Sequence, residues 1–72
     1  MSYPENVTRG MVDVMKQAAV APQTYSWAGR DAVHKLAAMR CESSGYMARD
    51  AEDRWVLTEA GAALLRENGV VL

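Results

Sequence analysis

The feature that most constrains the fold of this chain is an abrupt change of pattern at one threonine. Trp55-Val56-Leu57 is a run of residues that favour strands, while Glu59 to Glu67 is rich in alanine and leucine, which favour helices. Thr58, between them, can accept a hydrogen bond from a backbone N–H in the first turn of a helix, and Asn68-Gly69 supplies a left-handed stop. The pattern therefore predicts a strand that leads directly into a capped helix.

A chain of 72 residues is expected to form a single domain, over 1–72, with a thin core. The single cysteine, Cys41, cannot form an internal disulfide, and we find no signal peptide and no long apolar span. These features predict a cytoplasmic location without membrane association. The large apolar residues expected in the core are Val7, Met11, Val14, Met15, Val33, Leu36, Met39, Trp55, Leu57, Leu64 and Leu65.

Capping residues and helical spacing predict two helices in the first half of the chain. Ser2-Tyr3-Pro4-Glu5 has the form of a capping box, so the first helix is expected to begin there and to end at Ala21-Pro22. A second helical period covers Trp27 to Cys41 and stops before Gly45. Its inner face is predicted to hold Val33, Leu36, Ala37 and the stem of Arg40, and its outer face Asp31, His34, Lys35 and Ala38, with Arg30 at the flank.

Two short extended segments, Tyr46 to Arg49 and Arg54 to Leu57, predict a hairpin whose tip, Asp50-Ala51-Glu52-Asp53, is charged. The last helix is expected to turn Ala60, Leu64 and Ala63 inward, and an apolar tail, Val70-Val71-Leu72, follows it. The predicted fold class is α+β, mainly α, with helices and one two-stranded hairpin.

The order helix, helix, hairpin, helix resembles the winged helix-turn-helix domain of bacterial transcription regulators, of the MarR and IclR types, over about residues 27–67. Gly45-Tyr46-Met47 corresponds to the turn into the wing, and Leu57-Thr58-Glu59-Ala60-Gly61 to the L-T-x-x-G signature after it. Asp31 to Leu36 would begin the recognition helix. About six residues, Ala21 to Ser26, remain for the family's scaffold helix, so either that helix is reduced to one turn or the first helix is shorter than its pattern suggests.

The resemblance implies that the second helix lies in the major groove of double-stranded DNA. Arg30, His34 and Lys35 would face base edges or phosphates, and Arg49 and Arg54 at the strand ends would reach neighbouring phosphates. The three carboxylates of the tip argue against deep insertion of the wing. The alternative is that these are ordinary solvated side chains and that opposite charges of the hairpin pair with each other.

Other classes of site have little support in the sequence. His34 is the one histidine and has no second ligand at metal-binding spacing, so we expect no metal site. No nucleophile stands beside a plausible base and no glycine-rich phosphate loop is present, so we expect neither an enzyme nor a cofactor.

The first functional hypothesis is a small DNA-binding transcriptional regulator without a ligand domain. Surplus apolar residues predict a homodimer through the first helix and the C-terminal tail. The rival is a protein-binding winged helix, an adaptor or inhibitor, motivated by the net charge of −1, the acidic tip and the missing scaffold helix. Stand-alone domains of this size are common in phages and mobile elements. A continuous positive strip along Arg30, Lys35, Arg49 and Arg54 would favour DNA.

Overall fold

The computed structural model describes residues 3–22 and 32–72, with side chains described for 3–22 and 35–72. Within these ranges the chain forms three helices and one two-stranded antiparallel sheet, which agrees with the α+β, mainly α, class. The elements in chain order are α1 (Arg9–Val20), α2 (Ala32–Ser43), β1 (Met47–Arg49), β2 (Trp55–Leu57) and α3 (Glu59–Glu67).

Helix α1 begins later than the sequence predicts, because Thr8 caps it. The Met11 N–H donates to Thr8 Oγ1 at 3.2 Å, and the Thr8 N–H points at Met11 Sδ at 3.5 Å. The preceding segment makes one turn, in which the Val7 N–H donates to the Pro4 carbonyl oxygen at 3.0 Å. The predicted start near Pro4 is therefore wrong, whereas the predicted end at Ala21 is confirmed.

Helix α2 turns a different face inward from the one predicted. Ala37, Ala38 and Cys41 are buried, while Leu36 and Met39 are 51% and 46% exposed, so the placement of Leu36 inside and Ala38 outside is wrong. The physical reason is close contact with α1: a Cβ added at Gly10 would lie 3.7 Å from the Cβ of Ala37. Where two helices pack this closely, the contact has room for alanine side chains, and the larger leucine lies outside it.

The core lies where α1, α2, the hairpin and α3 meet. Trp55 on β2 is 1% exposed and is the largest fully buried side chain among the described residues. Val7 and Leu57 are half-buried against this core, and Met39 joins Leu36 outside it. The predicted core residues that are confirmed as buried are Met11, Val14, Met15, Trp55, Leu64 and Leu65.

Helix α3 has the predicted bounds and stop but not the complete predicted face. Leu64 is buried together with Leu65 and Gly61, whereas Ala60 and Ala63 are exposed. The helix ends in left-handed geometry at Gly69, φ +86°, where the Gly69 N–H donates to the Arg66 carbonyl oxygen at 3.0 Å. The tail then returns to the core, since Val70 packs against it, while Val71 is 95% exposed.

The prediction for Arg30 and most of the segment left for the family's scaffold helix fall on residues 23–31, which lie outside the described residues. The same holds for the side chains of Val33 and His34, whose backbone belongs to α2.

Candidate interaction surface on the second helix and the hairpin

One threonine fixes the hairpin against α2 and α3. The Thr58 hydroxyl donates to the Gly45 carbonyl oxygen at 2.6 Å and accepts from the Gly61 N–H at 3.2 Å. The Thr58 N–H donates to the Tyr46 carbonyl oxygen at 3.1 Å. Gly45 has φ +84° and lets the chain turn out of α2 into β1. Thr58 thus connects the end of α2, the entry into β1 and the first turn of α3.

Gly61 is required by the same junction. A Cβ at this position would overlap the carbonyl oxygen of Tyr46 and would lie 2.7 Å from Cδ1 of Leu57. The absence of a side chain therefore lets α3 pack directly on the backbone that enters β1. The Leu57-Thr58-x-x-Gly61 pattern therefore has a physical explanation. Thr58 caps α3, and position 61 must be glycine because the contact leaves no room for a side chain.

The hairpin pairs β1 with β2 in the register Met47 to Leu57, Ala48 to Val56 and Arg49 to Trp55. Its tip turns through a hydrogen bond from the Asp53 N–H to the Asp50 carbonyl oxygen at 2.9 Å, and Asp53 has φ +60°. The predicted hairpin and its charged tip are confirmed.

Both arginines of the hairpin lie among carboxylates. Arg49 Nε is 3.2 Å from Glu42 Oε2 of α2, and Arg49 Nη1 is 3.7 Å from Asp53 Oδ1. Arg54 Nε is 3.0 Å from Asp50 Oδ2, and Arg54 Nη2 is 3.0 Å from Glu52 Oε2. Two guanidiniums thus face four carboxylates. Exposed pairs of this kind add only about 0–1 kcal/mol each to stability, so their main effect is on local charge.

Asp50 also organises the tip through its second oxygen. Asp50 Oδ1 accepts from the backbone N–H groups of Arg54 and Glu52, each at 2.9 Å. The Arg54 backbone N–H first, and then the Glu52 N–H and the Arg54 guanidinium, lower the pKa of Asp50 below its usual range. Asp50 is consequently ionised at neutral pH and adds negative charge beside Arg54.

The exposed face of α2 combines apolar and basic side chains. Lys35, Leu36, Met39 and Arg40 are all exposed. Leu36 and Met39 open onto a groove of about 490 Å³ between α2 and the start of α1, which we call the α2 groove. Its lining residues are Asn6, Met11, Leu36, Met39, Arg40, Ser43 and Ser44.

The predicted DNA-contacting residues are distributed unevenly over this surface. Lys35 lies on α2, and Arg49 and Arg54 lie on the hairpin at the sites described above. In the part of the chain that the structure describes, the expected positive strip is interrupted where these two arginines meet acids. Sequence reasoning missed Leu36 and Met39 as surface residues, and the signal available was the small Ala37-Ala38 pair between them.

Cys41 belongs to the interior. Its thiol is fully buried and donates to the Met11 carbonyl oxygen at 3.6 Å, and burial raises the pKa of Cys41 to about 11. The described residues hold no group of three or more side chains suited to binding a metal ion. None of the helices described here has the length and apolar character that crossing a bilayer requires.

No protein-family model, no curated protein and no solved structure matches the chain.

Proposed function

We propose that this chain is a winged-helix domain that binds another protein through the exposed face of α2, as an adaptor or inhibitor. The observation that carries the proposal is the exposure of two large apolar side chains, Leu36 and Met39, on that helix. Surface apolar side chains that gather in a groove are typical of interaction sites. The helix that resembles a recognition helix therefore presents a surface suited to a protein.

The charge of the hairpin supports the same conclusion. Phosphate binding needs cations that are not already surrounded by acids, and here Glu42, Asp50, Glu52 and Asp53 surround Arg49 and Arg54. An approaching duplex would have to displace these carboxylates, which would then remain within a few ångströms of its phosphates. The net charge of −1 provides no compensating attraction over longer distances.

The proposal is tested by capture from a native lysate of the organism that encodes the chain, carried out in parallel with and without nuclease digestion. We expect the tagged full chain to retain a specific protein in comparable molar amount, and the same pair to form from purified components. Recovery of nucleic acid alone, or of no specific protein, would refute the function.

The second candidate is the DNA-binding transcriptional regulator. Exposed Lys35 and Arg40 on the same helix favour it, because cations on a helix beside a hairpin can bind phosphate or guanine. A gel shift at low salt with random-sequence duplexes tests it. DNA binding predicts retardation by the wild type, loss with Arg30→Ala, Lys35→Ala, and weakening as salt is raised. Absence of a shift with the wild type excludes this candidate.

The homodimer through α1 and the tail stays a prediction. Val20 near the end of α1 and Val71 in the tail are 87% and 95% exposed, which provides apolar surface for such contact. Sedimentation equilibrium of the full chain measures the association directly.

A further inference from the structure

The α2 groove has an apolar floor and a basic edge. Met11 of α1 is buried at its base, and Leu36 and Met39 of α2 rise on one side. Among the described residues that line it, Arg40 is the charged one, and Ser43 and Ser44 contribute hydroxyls. A partner that fills this groove must bring apolar side chains and, near Arg40, a group that accepts hydrogen bonds.

The sign of the expected partner follows from where the acids lie. Within the described residues Arg40 has no ion pair, and no carboxylate lines the groove. The nearest acid of α2 in sequence, Glu42, is held by Arg49 on the hairpin side at 3.2 Å. The groove is therefore locally basic on a chain that is acidic overall. A carboxylate can bind the planar guanidinium of Arg40 with two parallel hydrogen bonds.

The phosphate backbone of a nucleic acid complements only the basic part of the α2 groove. It would pair with Arg40 but would leave Leu36 and Met39 against solvent or against charged oxygen atoms, which apolar side chains do not favour. An amphipathic helix complements both the apolar and the basic part of the groove. Its apolar residues recur at i, i+3, i+4 and i+7, and its acidic residues can flank them.

We infer that the α2 groove binds an acidic amphipathic segment of a partner protein, with apolar side chains against Leu36 and Met39 and a carboxylate on Arg40. This inference rests on the proposed protein-binding function and names the partner chemistry and the residues that select it. Leu36 and Met39 supply the apolar area that contacts the partner, and Arg40 selects a partner with negative charge.

The experiment is a selection of random peptides, several helical turns long and displayed on phage, against the full chain. We expect the retained pool to be enriched in aspartate and glutamate, with apolar residues at helical spacing. A peptide from this pool is then synthesised with a fluorophore, and its affinity is measured by anisotropy. Arg40→Glu and the double variant Leu36→Ser, Met39→Ser should each weaken binding about tenfold or more.

Two matched variants control for general effects of charge and polarity. Arg66→Glu makes the same exchange at an exposed position of α3 outside the groove, and Ala63→Ser places a hydroxyl on an exposed apolar side chain of the same helix. Both should bind the peptide as the wild type does. A peptide in which lysines replace the acids should regain affinity for the Arg40→Glu variant. Such a reversal of charge preference would not be expected if Arg40 only supported the fold. Circular dichroism checks that each variant is folded.

Three results would overturn the inference: a pool without a shared pattern, a pool enriched in basic residues, or an acidic pool whose binding survives both groove variants. The outcome is separable from that of the proposed function. A specific protein captured from lysate whose binding is lost with the double variant but is unchanged by Arg40→Glu would leave the function standing and would refute an acidic segment as the ligand.

Discussion

Replacement of Gly61 by alanine adds one methyl group where α3 touches the start of the hairpin. The new Cβ would overlap the Tyr46 carbonyl oxygen and lie 3.1 Å from the Tyr46 carbonyl carbon. It would also lie 2.7 Å from Leu57 Cδ1, which can rotate away. The Tyr46 carbonyl cannot, because it is backbone and its oxygen accepts from the Thr58 N–H at 3.1 Å. Helix α3 and the hairpin must therefore move apart.

The expected loss of stability follows from three contributions. Overpacking at a tight contact costs about 1–3 kcal/mol. Separation of the two elements weakens one or two of the hydrogen bonds made by Thr58, at about 1 kcal/mol each. Alanine returns about 1 kcal/mol through its higher helix propensity. The net loss is roughly 1–4 kcal/mol, a large part of the roughly 4–11 kcal/mol expected for a domain of this length.

Gly10→Ala is the matched control, since it makes the same exchange in the first turn of α1. Its Cβ would lie 3.7 Å from Ala37 Cβ and 3.8 Å from Thr8 Oγ1, which are ordinary van der Waals distances. With no clash, the reduced entropy of the unfolded chain dominates, and we expect stabilisation of about 0.4–1 kcal/mol.

Urea unfolding followed by far-ultraviolet circular dichroism measures both variants against the wild type. The two glycine exchanges should change the unfolding midpoint in opposite directions with similar m-values. If Gly61→Ala proves as stable as the wild type, the contact between α3 and Tyr46 does not constrain the fold, and the explanation of the glycine in the Leu57-Thr58-x-x-Gly61 pattern is refuted.

Two further predictions concern Cys41 and Asp53. Burial raises the pKa of Cys41 from 9.0 to about 11, so its contribution to stability is complete below pH 9 and is lost between pH 9 and 11, by roughly 2–3 kcal/mol. Urea titrations across this range should show a steeper decline for the wild type than for Cys41→Ala, and equal declines would contradict the buried thiol. Asp53 has φ +60°, and both exchanges remove its ion pair with Arg49, so Asp53→Gly should be more stable than Asp53→Val by about 1–2 kcal/mol. Thermal unfolding of the pair tests this, and a more stable valine variant would exclude left-handed geometry at the tip.

The junction at Thr58 was predictable because its determinants are local. A run of β-formers, a capping threonine and a left-handed stop at Gly69 each act within a few residues, so strand, cap and helix follow from order alone. The hairpin was predictable for the same reason. Local rules failed at α1, where the capping-box pattern at Ser2 predicted the start and the structure uses Thr8 instead.

The orientation of α2 required the tertiary structure. Helical spacing indicates which residues share a face, but in a helix with alanine on several sides it does not indicate which face is buried. Contact of Gly10 with Ala37 and the hydrogen bond from Cys41 to Met11 decide this, and they join residues 27 and 30 positions apart.

The features of the candidate site likewise fall into those that the sequence predicts and those that require the tertiary structure. The sequence by itself determined that α3 follows a strand, that a charged tip closes the hairpin and that two arginines flank this tip. Only the tertiary structure decided that Glu42 of α2 reaches Arg49 and that Leu36 and Met39 face outward. Caps and turns depend on neighbours along the chain, whereas burial and ion pairing depend on which distant segments the folded chain brings into contact.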